Sequence, residues 1–366
     1  MTNTATAMPA AAPGISLDEF LRRLPKAELH CHLLGTVRRA TFSALARRER
    51  APLREEEIES FYTRGKKPVG VLRVLRALDA WLLKTPADLH RITLEYLEDA
   101  AAQGVRYSEF FWNPTGTLRA TGISYRAAQD AIVRGIHDAQ AAHGIIARLV
   151  PAIDREAGPA AALEMVAWVR ENRVEEVVGI GIDYRENEFP PELFIDAYAA
   201  ARRAGLRTTA HAGEFGLPWT NVQTAIDQLQ VDRIDHGYTV VDNPDLAARC
   251  VQSGIVFTVV PTNSHYLRTL APERWALDHP IRRMHALGLR IHPNTDDPTL
   301  HHVTPTQAWG MMLRHFGLRA AELRGLMMNG LAGAWIDASQ RQRWAAEWGG
   351  EFDALLAGLA PTEREA

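Results

Sequence analysis

The chain has 366 residues, of which 46% are hydrophobic and 23% charged, a composition typical of a globular protein with a large core. Its 41 basic and 44 acidic residues leave a formal net charge of −3, so there is no electrostatic reason to expect a nucleic acid or an anionic membrane as partner. No apolar run is long enough to cross a bilayer, and two distant cysteines, Cys31 and Cys250, exclude a disulfide framework. We therefore expect a cytoplasmic protein; the composition leaves its oligomeric state open.

The two ends of the chain differ in composition from the rest. Residues Met1–Gly14 are rich in Ala, Thr and Pro and lack the basic start of a secretory signal, so we predict a disordered tail. The last residues, Pro361–Ala366, are predicted to form a second solvated end. Between them we predict a single domain over residues 15–360.

From about Ala27 the sequence alternates short β-favouring runs with longer amphipathic segments. The eight predicted strands are Glu28–Leu33, Arg106–Trp112, Ile145–Ala152, Val177–Asp183, Arg207–His211, Arg233–His236, Ile255–Val260 and Leu289–Asn294. The predicted helices between them include Asp88–Gln103, Ser124–His143, Pro159–Asn172, Pro191–Ala204 and Asn221–Leu229. Such alternation predicts an α/β fold, and eight units in a chain of this length favour a closed (β/α)₈ TIM-type barrel over a doubly wound open sheet. No Gly-x-Gly-x-x-Gly follows the first strand, which argues against a dinucleotide site.

The segment from Thr41 to Thr85 is too long for a plain connection after the first strand. It contains a charged helical pattern over Leu53–Ser60 and a turn-like Thr-Arg-Gly-Lys-Lys-Pro. An insertion at this point would lie over the catalytic mouth of a barrel, so we predict that residues 41–85 form a helical lid. A peripheral helical decoration is the alternative.

The first predicted strand ends in the sequence Glu-Leu-His-Cys-His, with histidines at positions 30 and 32. Residues two apart on a strand face the same side, so His30 and His32 can both point into the barrel. Two imidazoles on one face favour a zinc or iron site. The alternative is one core histidine and one surface histidine.

Polar residues also end the predicted strands five, six and eight. His211 closes strand five, with Glu214 three residues further on, and His236 closes strand six. Strand eight ends in Asn-Thr-Asp-Asp-Pro, in which Asp296 and Asp297 are adjacent. Two adjacent carboxylates cannot face one way, so one can bind a metal while the other faces a substrate; helix capping is the alternative. Because the carboxyl ends of barrel strands meet at one mouth, the combination predicts one site.

Four of these motifs together resemble the adenosine deaminase family: Pro25-Lys26-Ala27-Glu28-Leu29-His30-Cys31-His32, His211-Ala212-Gly213-Glu214, Ile234-Asp235-His236-Gly237 and Asn294-Thr295-Asp296-Asp297-Pro298. The resemblance runs from about Leu24 to Trp335. It implies a (β/α)₈ barrel with one Zn²⁺ per chain, bound by the following residues: His30, His32, His211 and Asp296. Strand four ends without the lysine that bridges two metals in related hydrolases, which agrees with a single ion.

The same resemblance implies the roles of three further residues. His236 would orient or deprotonate a water at the metal, whose pKa zinc lowers toward neutrality. Glu214 would protonate a ring nitrogen of the substrate, and Asp297 would accept a hydrogen bond from the substrate or help to position the nucleophile. An aromatic amine is a poor leaving group, and these groups would address that obstacle.

Three segments depart from the adenosine-specific pattern of that family. Leu33-Leu34-Gly35 stands where the family has an aspartate that contacts the ribose, and Asp183-Tyr184-Arg185-Glu186 replaces a segment whose glycine N–H meets the purine. Glu109-Phe110-Phe111-Trp112 lacks an arginine that is common there. We predict that the following side chains contact the substrate: Leu34, Phe111, Tyr184, Glu186 and Asp297.

We therefore predict a zinc-dependent hydrolytic deaminase that releases ammonia from adenosine or a related 6-aminopurine, with plain adenosine a weak substrate. A metal-dependent amidohydrolase acting on another aminated heterocycle or on an amide C–N bond is the alternative. A non-catalytic binding protein on the same barrel is a third reading, against which the complete set of metal and proton-transfer residues argues.

Overall fold

The computed structural model describes residues 14–63 and 70–360 of the chain. The predicted tail, apart from Gly14, and the predicted C-terminal end lie outside the described residues, as does most of the turn-like segment after Thr63. Within the described part of the chain, no helix is long and apolar enough to cross a membrane.

Eight parallel strands form one sheet in which each strand pairs with the next along the chain. They are β1 (Lys26–Glu28), β2 (Val105–Trp112), β3 (Ile146–Asp154), β4 (Gly179–Asp183), β5 (Arg207–Ala212), β6 (Arg233–His236), β7 (Val256–Val259) and β8 (Arg290–Pro293). The segments that follow β1 and β8 close the sheet, because the amide of His32 donates to the carbonyl of Asp296 at 2.8 Å and the amide of Asp296 donates to the carbonyl of His30 at 3.0 Å. This closure confirms the predicted (β/α)₈ barrel.

The first strand is shorter than predicted, since β1 ends at Glu28 rather than at Leu33. The amide of Leu29 donates to Oδ1 of Asn294 at 2.8 Å instead of to a strand carbonyl, and Leu33–Thr36 forms a 3₁₀ turn. The two metal-candidate histidines therefore follow the strand on an extended segment that the closing hydrogen bonds hold against the end of β8.

Helices pack around this barrel, and most of them connect one strand to the next. Among the described residues they are α1 (Leu17–Arg23), α2 (Arg39–Glu49), α3 (Glu55–Tyr62), α4 (Val71–Ala77), α5 (Pro86–Ala102), α6 (Pro114–Thr121), α7 (Tyr125–His143), α8 (Gly158–Glu171), α9 (Ile195–Arg203), α10 (Thr220–Thr224), α11 (Pro244–Ser253), α12 (Ser264–Thr269), α13 (Trp275–Asp278), α14 (Pro280–Ala286), α15 (Pro298–His301), α16 (Pro305–Arg314), α17 (Leu323–Gly333) and α18 (Ala338–Gly358). Two predicted helices are divided: a 3₁₀ turn, Pro191–Phe194, precedes α9, and a π-helical turn, Ala225–Leu229, follows α10.

The long helices begin where side chains satisfy their free amides. Thr85 and Asp88 form a reciprocal capping box at the start of α5, with Oγ1 of Thr85 accepting from the amide of Asp88 at 3.3 Å. Pro86 occupies the first helical position, where no N–H is needed. Ser124 caps α7 with a single hydrogen bond, its side chain accepting from the amide of Ala127 at 3.2 Å. These caps place α5 and α7 close to their predicted positions.

The insertion after β1 is helical in its described parts. It contains α2, α3, α4 and a π-helical turn, Leu78–Leu82, before α5 begins. The acidic run Glu55–Glu57 opens α3, where negative side chains complement the helix dipole. The last helix of the insertion, α4, brings the chain back to the barrel mouth.

A charged pair lies buried near the amino ends of the strands. Arg233, the first residue of β6, donates to Oε2 of Glu109 at 2.7 Å, and both side chains are inaccessible to solvent. The guanidinium also lies 4.3 Å from the ring centroid of Trp335. Glu109 therefore points into the barrel away from the mouth, which explains the carboxylate found in the Glu-Phe-Phe-Trp segment of β2.

His279, which caps α14, is buried among aromatic rings. Its Nδ1 accepts from the amide of Ile281 at 3.2 Å, and the rings around it are those of Tyr238, Tyr266, Trp275 and Phe316. Burial lowers the pKa of His279 to about 3. The folded protein thus holds this ring neutral under conditions in which an unfolded chain would protonate it.

We expect the His279→Asn variant to be less sensitive to acid than the wild-type protein. As the pH falls below about 6.5, the unfolded state binds a proton at His279 and the native state does not, so stability decreases with falling pH. Between about pH 7 and pH 5 the wild-type protein should lose about 2 kcal/mol more free energy of unfolding than the variant, because asparagine keeps the cap without titrating. Urea denaturation at both pH values measures this difference; equal losses would show that His279 does not contribute.

Candidate metal centre and active site

The residues predicted to bind a metal or to transfer protons meet at the carboxyl ends of the strands, around one cavity of about 380 Å³. This volume is within the range of about 300–1,000 Å³ common for small-molecule pockets. The described residues that line it are His32, Gly70, Val71, Leu72, Arg73, Leu75, Asp183, Tyr184, Arg185, His211, Glu214, Phe215, His236, Asn263, Ser264, Arg268, Asp296, Asp297 and His301. Polar and titratable groups from β4, β5, β6 and the segments after β1, β7 and β8 therefore face the same cavity. The sequence predicted that polar residues at the strand ends would share one site.

Four side chains converge with the spacing of metal ligands, namely His30, His32, His211 and Asp296. Nε2 of His32 lies 3.2 Å from Nε2 of His211 and 3.2 Å from Oδ1 of Asp296. Nε2 of His30 lies 3.6 Å from the same carboxylate oxygen. Donors around a four-coordinate zinc are about 3.3–3.6 Å apart when each is about 2.0–2.2 Å from the ion. The observed separations match that arrangement.

Each imidazole is oriented by a partner on its other ring nitrogen. Nδ1 of His30 lies 3.0 Å from Oγ1 of Thr258, and Nδ1 of His32 lies 3.2 Å from Oδ2 of Asp183. Nδ1 of His211 lies 3.4 Å from Oδ2 of Asp235. Such partners fix the tautomer with Nε2 free to bind a metal, an arrangement found around the histidine ligands of metalloenzymes.

The electrostatics of the cluster favour a positive charge beside Asp296. Burial alone would lower the pKa of His32, but hydrogen bonds with Asp183 and Asp296 raise it well above its usual value. Burial and the neighbouring His30 lower the pKa of His211 to about 4, which leaves its ring neutral and able to bind a metal. Nε2 of His30 is buried without a hydrogen-bond partner among the described residues. The donor set thus fits a divalent cation.

Glu214 and His236 lie side by side next to this cluster. Oε2 of Glu214 is 3.6 Å from Nε2 of His236, and Asn263 donates to Oε1 of Glu214 at 3.3 Å. Burial, followed by the charges of Asp296 and Glu186, raises the pKa of Glu214 well above its usual value. Burial and the charges of nearby histidines lower the pKa of His236 well below its usual value. The pair thus combines a carboxyl group that holds its proton with an imidazole that is neutral.

Asp297 lines the cavity beside Asp296, and burial together with the charge of Asp296 raises its pKa well above the usual range. Its side chain packs against the backbone of Gly35, where a β-carbon would overlap the carboxylate. A glycine is therefore required in the Leu-Leu-Gly segment for Asp297 to take this position.

Strained backbone is concentrated at the site. Tyr184, His236 and Asp296 have φ angles of 68°, 65° and 66°, a left-handed conformation that residues other than glycine seldom adopt. Each such residue costs about 1–3 kcal/mol and persists where the surrounding structure fixes it. All three line the cavity, so the strain accompanies the placement of its walls.

The predicted substrate contacts divide into two groups. Tyr184 and Asp297 line the cavity, whereas Leu34, Phe111 and Glu186 do not. Phe111 packs beneath the metal cluster, with its ring centroid 5.6 Å from that of His30. Leu34 is buried in the 3₁₀ turn after β1.

Glu186 differs most from its predicted position, which was a charged side chain at the wall that faces the purine. It is 1% exposed and accepts hydrogen bonds from the amides of Gly213 and Glu214. The unsatisfied amides of the loop after β5 attract the carboxylate inward. Sequence reasoning could not foresee this, because it treats residues 28 positions apart as independent.

Three residues that contact the site were given no role in the sequence analysis. Asn263 follows β7 and could have been found by the same strand-end rule that found the others. Asp235 is in register with His211 across β5 and β6, which places their side chains on the same face. Asp183 ends β4, in a segment noted for another reason.

One edge of the cavity is formed by α4, the last helix of the insertion. Val71, Leu72 and Leu75 of this helix line the cavity. The helix is held to the barrel by Arg76, whose Nη1 lies 2.7 Å from Oδ2 of Asp154 and whose guanidinium is 4.2 Å from the ring centroid of Tyr184. The insertion therefore contributes an apolar wall to the site.

Comparison with known proteins places these residues in a family context. Residues 25–347 match the family model described as adenosine deaminase. An adenine deaminase of Chelativorans sp. (strain BNC1) is 33% identical over 321 residues, which cover 87% of this chain and 96% of that protein. An adenine deaminase of Caulobacter vibrioides is 33% identical over 340 residues, covering 92% and 96%.

Two solved structures extend the comparison. A crystal structure of an amidohydrolase from Burkholderia ambifaria with bound Zn is 60% identical, covers 95% of this chain and 96% of that chain, and superposes with a TM-score of 0.92. The crystal structure of an adenine deaminase from Arthrobacter aurescens is 28% identical, covers 90% and 99%, and gives a TM-score of 0.81.

Proposed function

We propose, from the premise that this chain belongs to the adenosine deaminase family, that it is a zinc-dependent hydrolase that releases ammonia from a 6-aminopurine. The observation that carries the proposal is the meeting of a four-residue metal cluster with Glu214, His236 and Asp297 in one cavity. The names of the relatives, adenine deaminases in two bacteria, support a purine as the substrate.

The metal would be one Zn²⁺ per chain, held by the cluster of His30, His32, His211 and Asp296. Its donor set of three imidazoles and a carboxylate suits zinc, and the 60% identical amidohydrolase contains bound Zn. When bound, zinc supplies a water of lowered pKa as the nucleophile.

The protein's own groups would handle the protons of the reaction. Glu214, kept protonated by its buried position, would donate to a ring nitrogen of the purine as C6 is attacked, which relieves the loss of aromaticity. His236, whose ring is neutral, would orient the attacking water and accept its proton. Asp297 would accept a hydrogen bond from the substrate, at the place where Gly35 leaves room for it.

Within the purines, we propose that a free base or a purine with an altered sugar is preferred to adenosine. None of the described residues between Leu33 and Thr63 lines the cavity, so the acidic residue that meets the ribose in the resembled family has no counterpart from this segment. A sugar hydroxyl left without a partner costs about 1–3 kcal/mol, or about one to two orders of magnitude in specificity. The wall formed by Val71, Leu72 and Leu75 adds apolar surface that a ribose would not match.

The test is ammonia release by the purified protein, with elemental analysis of its metal. Adenine, adenosine, N6-substituted adenines and a set of simple amides form the panel. We expect about one zinc per chain and the highest kcat/KM for a 6-aminopurine, with adenosine below adenine. Release from amides alone would contradict purine deamination, and adenosine as the best substrate would contradict the preference for a base.

A further inference from the structure

The carboxylate of Glu186 is buried in the loop that follows β4 and is bound entirely by N–H groups. Its Oε1 accepts from the amide of Gly213 at 2.8 Å and from Nδ2 of Asn221 at 2.9 Å. Its Oε2 accepts from the amide of Glu214 at 3.2 Å. No ion pair with a lysine, arginine or histidine is found for it among the described residues. A charge buried in this way is stabilised only by the groups it holds in place.

Two of those groups, the amides of Gly213 and Glu214, belong to the short loop that carries Glu214, and the third, Asn221, is in α10 just after it. The loop leaves β5 after Ala212, and Arg155, also buried, donates from Nη2 to the carbonyl of His211 just before it. Gly213 has a φ of 67°, and a β-carbon there would come within 2.5 Å of Oγ1 of Thr239, so the turn is closely packed. The start of the loop is thus held by both Arg155 and Glu186.

This arrangement fixes the direction in which the Glu214 side chain leaves the backbone. Two successive amides bound to one carboxylate cannot rotate independently, so the Cα–Cβ bond of Glu214 is held toward His236 and the metal cluster. Asn263 is a second restraint on Glu214, because its Nδ2 donates to Oε1 of the Glu214 carboxyl group at 3.3 Å. Displacement of a reacting group by about 1 Å can cost about 100-fold in rate.

We propose that Glu186 is the positioning residue for Glu214, which it holds at the reacting centre through the amides of residues 213 and 214. The assignment rests on the proposed function, because it is there that Glu214 delivers a proton. Glu186 stands at the position where the resembled family has a glycine whose N–H meets the purine. In this chain that position acts on the catalytic loop instead of on the substrate.

The first test is a double-mutant cycle between Glu186→Gln and Glu214→Gln. Glutamine has the same shape as glutamate, but its NH₂ group must face one of the two amides, so one hydrogen bond is lost. We expect kcat to fall about 10–100-fold with little change in KM or in zinc content. In the Glu214→Gln background the same change should cost less than about 3-fold, since the group it positions no longer donates a proton.

Glu188→Gln is the matched control for this cycle. Glu188 lies two residues after Glu186, in the loop that follows β4. Its side chain is 55% exposed, and its Oε1 is 3.7 Å from Nη1 of Arg185. It should turn over at the wild-type rate. Equal losses from Glu186→Gln in both backgrounds would mean a purely structural role and would overturn the proposal, as would a loss below about 3-fold in the wild-type background.

A second readout does not depend on turnover. A crystal structure of Glu186→Gln should show the Glu214 carboxyl group displaced from Nε2 of His236, while the metal ligands keep their positions. An unmoved Glu214 would overturn the proposal even if the protein released no ammonia from any purine, so the two proposals can fail separately. If the glutamine variant does not fold, Glu186→Asp, which keeps both acceptor oxygens at a shorter reach, takes its place in the cycle and in the crystal.

Discussion

The Glu214→Gln variant is expected to lose about 10²–10⁴-fold in kcat while it binds zinc as the wild-type protein does. Glutamine is the same size and can still accept from Asn263, but its amide cannot deliver a proton to a purine ring nitrogen. The Glu214 side chain is 13% exposed, with Oε2 3.6 Å from Nε2 of His236, and it lies outside the four-residue metal cluster. We therefore expect its replacement to remove the proton without removing a ligand. Steady-state ammonia release and elemental analysis of the same preparation measure the two effects.

The pH dependence of this variant provides the control. In the wild-type enzyme, the raised pKa of Glu214 keeps the proton in place as the pH increases, and activity is lost when the pH passes above that pKa. This loss of activity at high pH should be absent from the Glu214→Gln variant. A variant with nearly wild-type turnover and an unchanged profile would show that Glu214 is structural and that another group supplies the proton.

The second large effect is expected from the metal ligands. His211→Ala should bind zinc much more weakly and lose at least about 10³-fold in activity, because metal activation is worth several kcal/mol and about 1.4 kcal/mol corresponds to tenfold in rate. Its Nε2 lies 3.2 Å from that of His32, and its Nδ1 lies 3.4 Å from Oδ2 of Asp235. Zinc content after dialysis and kcat with added zinc are the measurements.

His236→Ala is the informative comparison for that variant, since both histidines are buried at adjacent strand ends. We expect it to lose turnover and to retain zinc, because His236 is not among the four convergent ligands. Loss of zinc from the His236→Ala variant would show that His236 is a metal ligand. Retention of zinc by His211→Ala would remove His211 from the metal site.

Much of the site can be predicted from the sequence because of one geometric rule. The carboxyl ends of parallel barrel strands meet at a single mouth, so polar residues that close β5 and β6 are neighbours even though they are far apart in the chain. His211, His236 and Asp296 follow this rule, and the pair His30 and His32 together with the family resemblance adds the expectation of a metal. The convergence of these residues in the structure is what the rule requires.

The remaining features depend on contacts that no local pattern contains. β1 ends early because the amide of Leu29 is bound by Asn294, a residue 265 positions away. Glu186 turns inward because the loop after β5 offers it two free amides. Leu34 follows a predicted ligand in sequence and Phe111 lies near the end of β2, but neither side chain lines the cavity. The direction of a loop side chain is set by such distant partners. The side chains that surround the substrate are therefore harder to predict than the residues at the strand ends.

The most direct test of the central claim is to run the reaction in ¹⁸O-labelled water with adenine and to follow both products. Hydrolytic deamination at a metal-activated water predicts one ammonia for each purine converted, with the ¹⁸O label at the C6 oxygen of hypoxanthine and loss of both products when zinc is removed. Ammonia without label in the purine, or labelled product that forms equally well in the zinc-free protein, would contradict it.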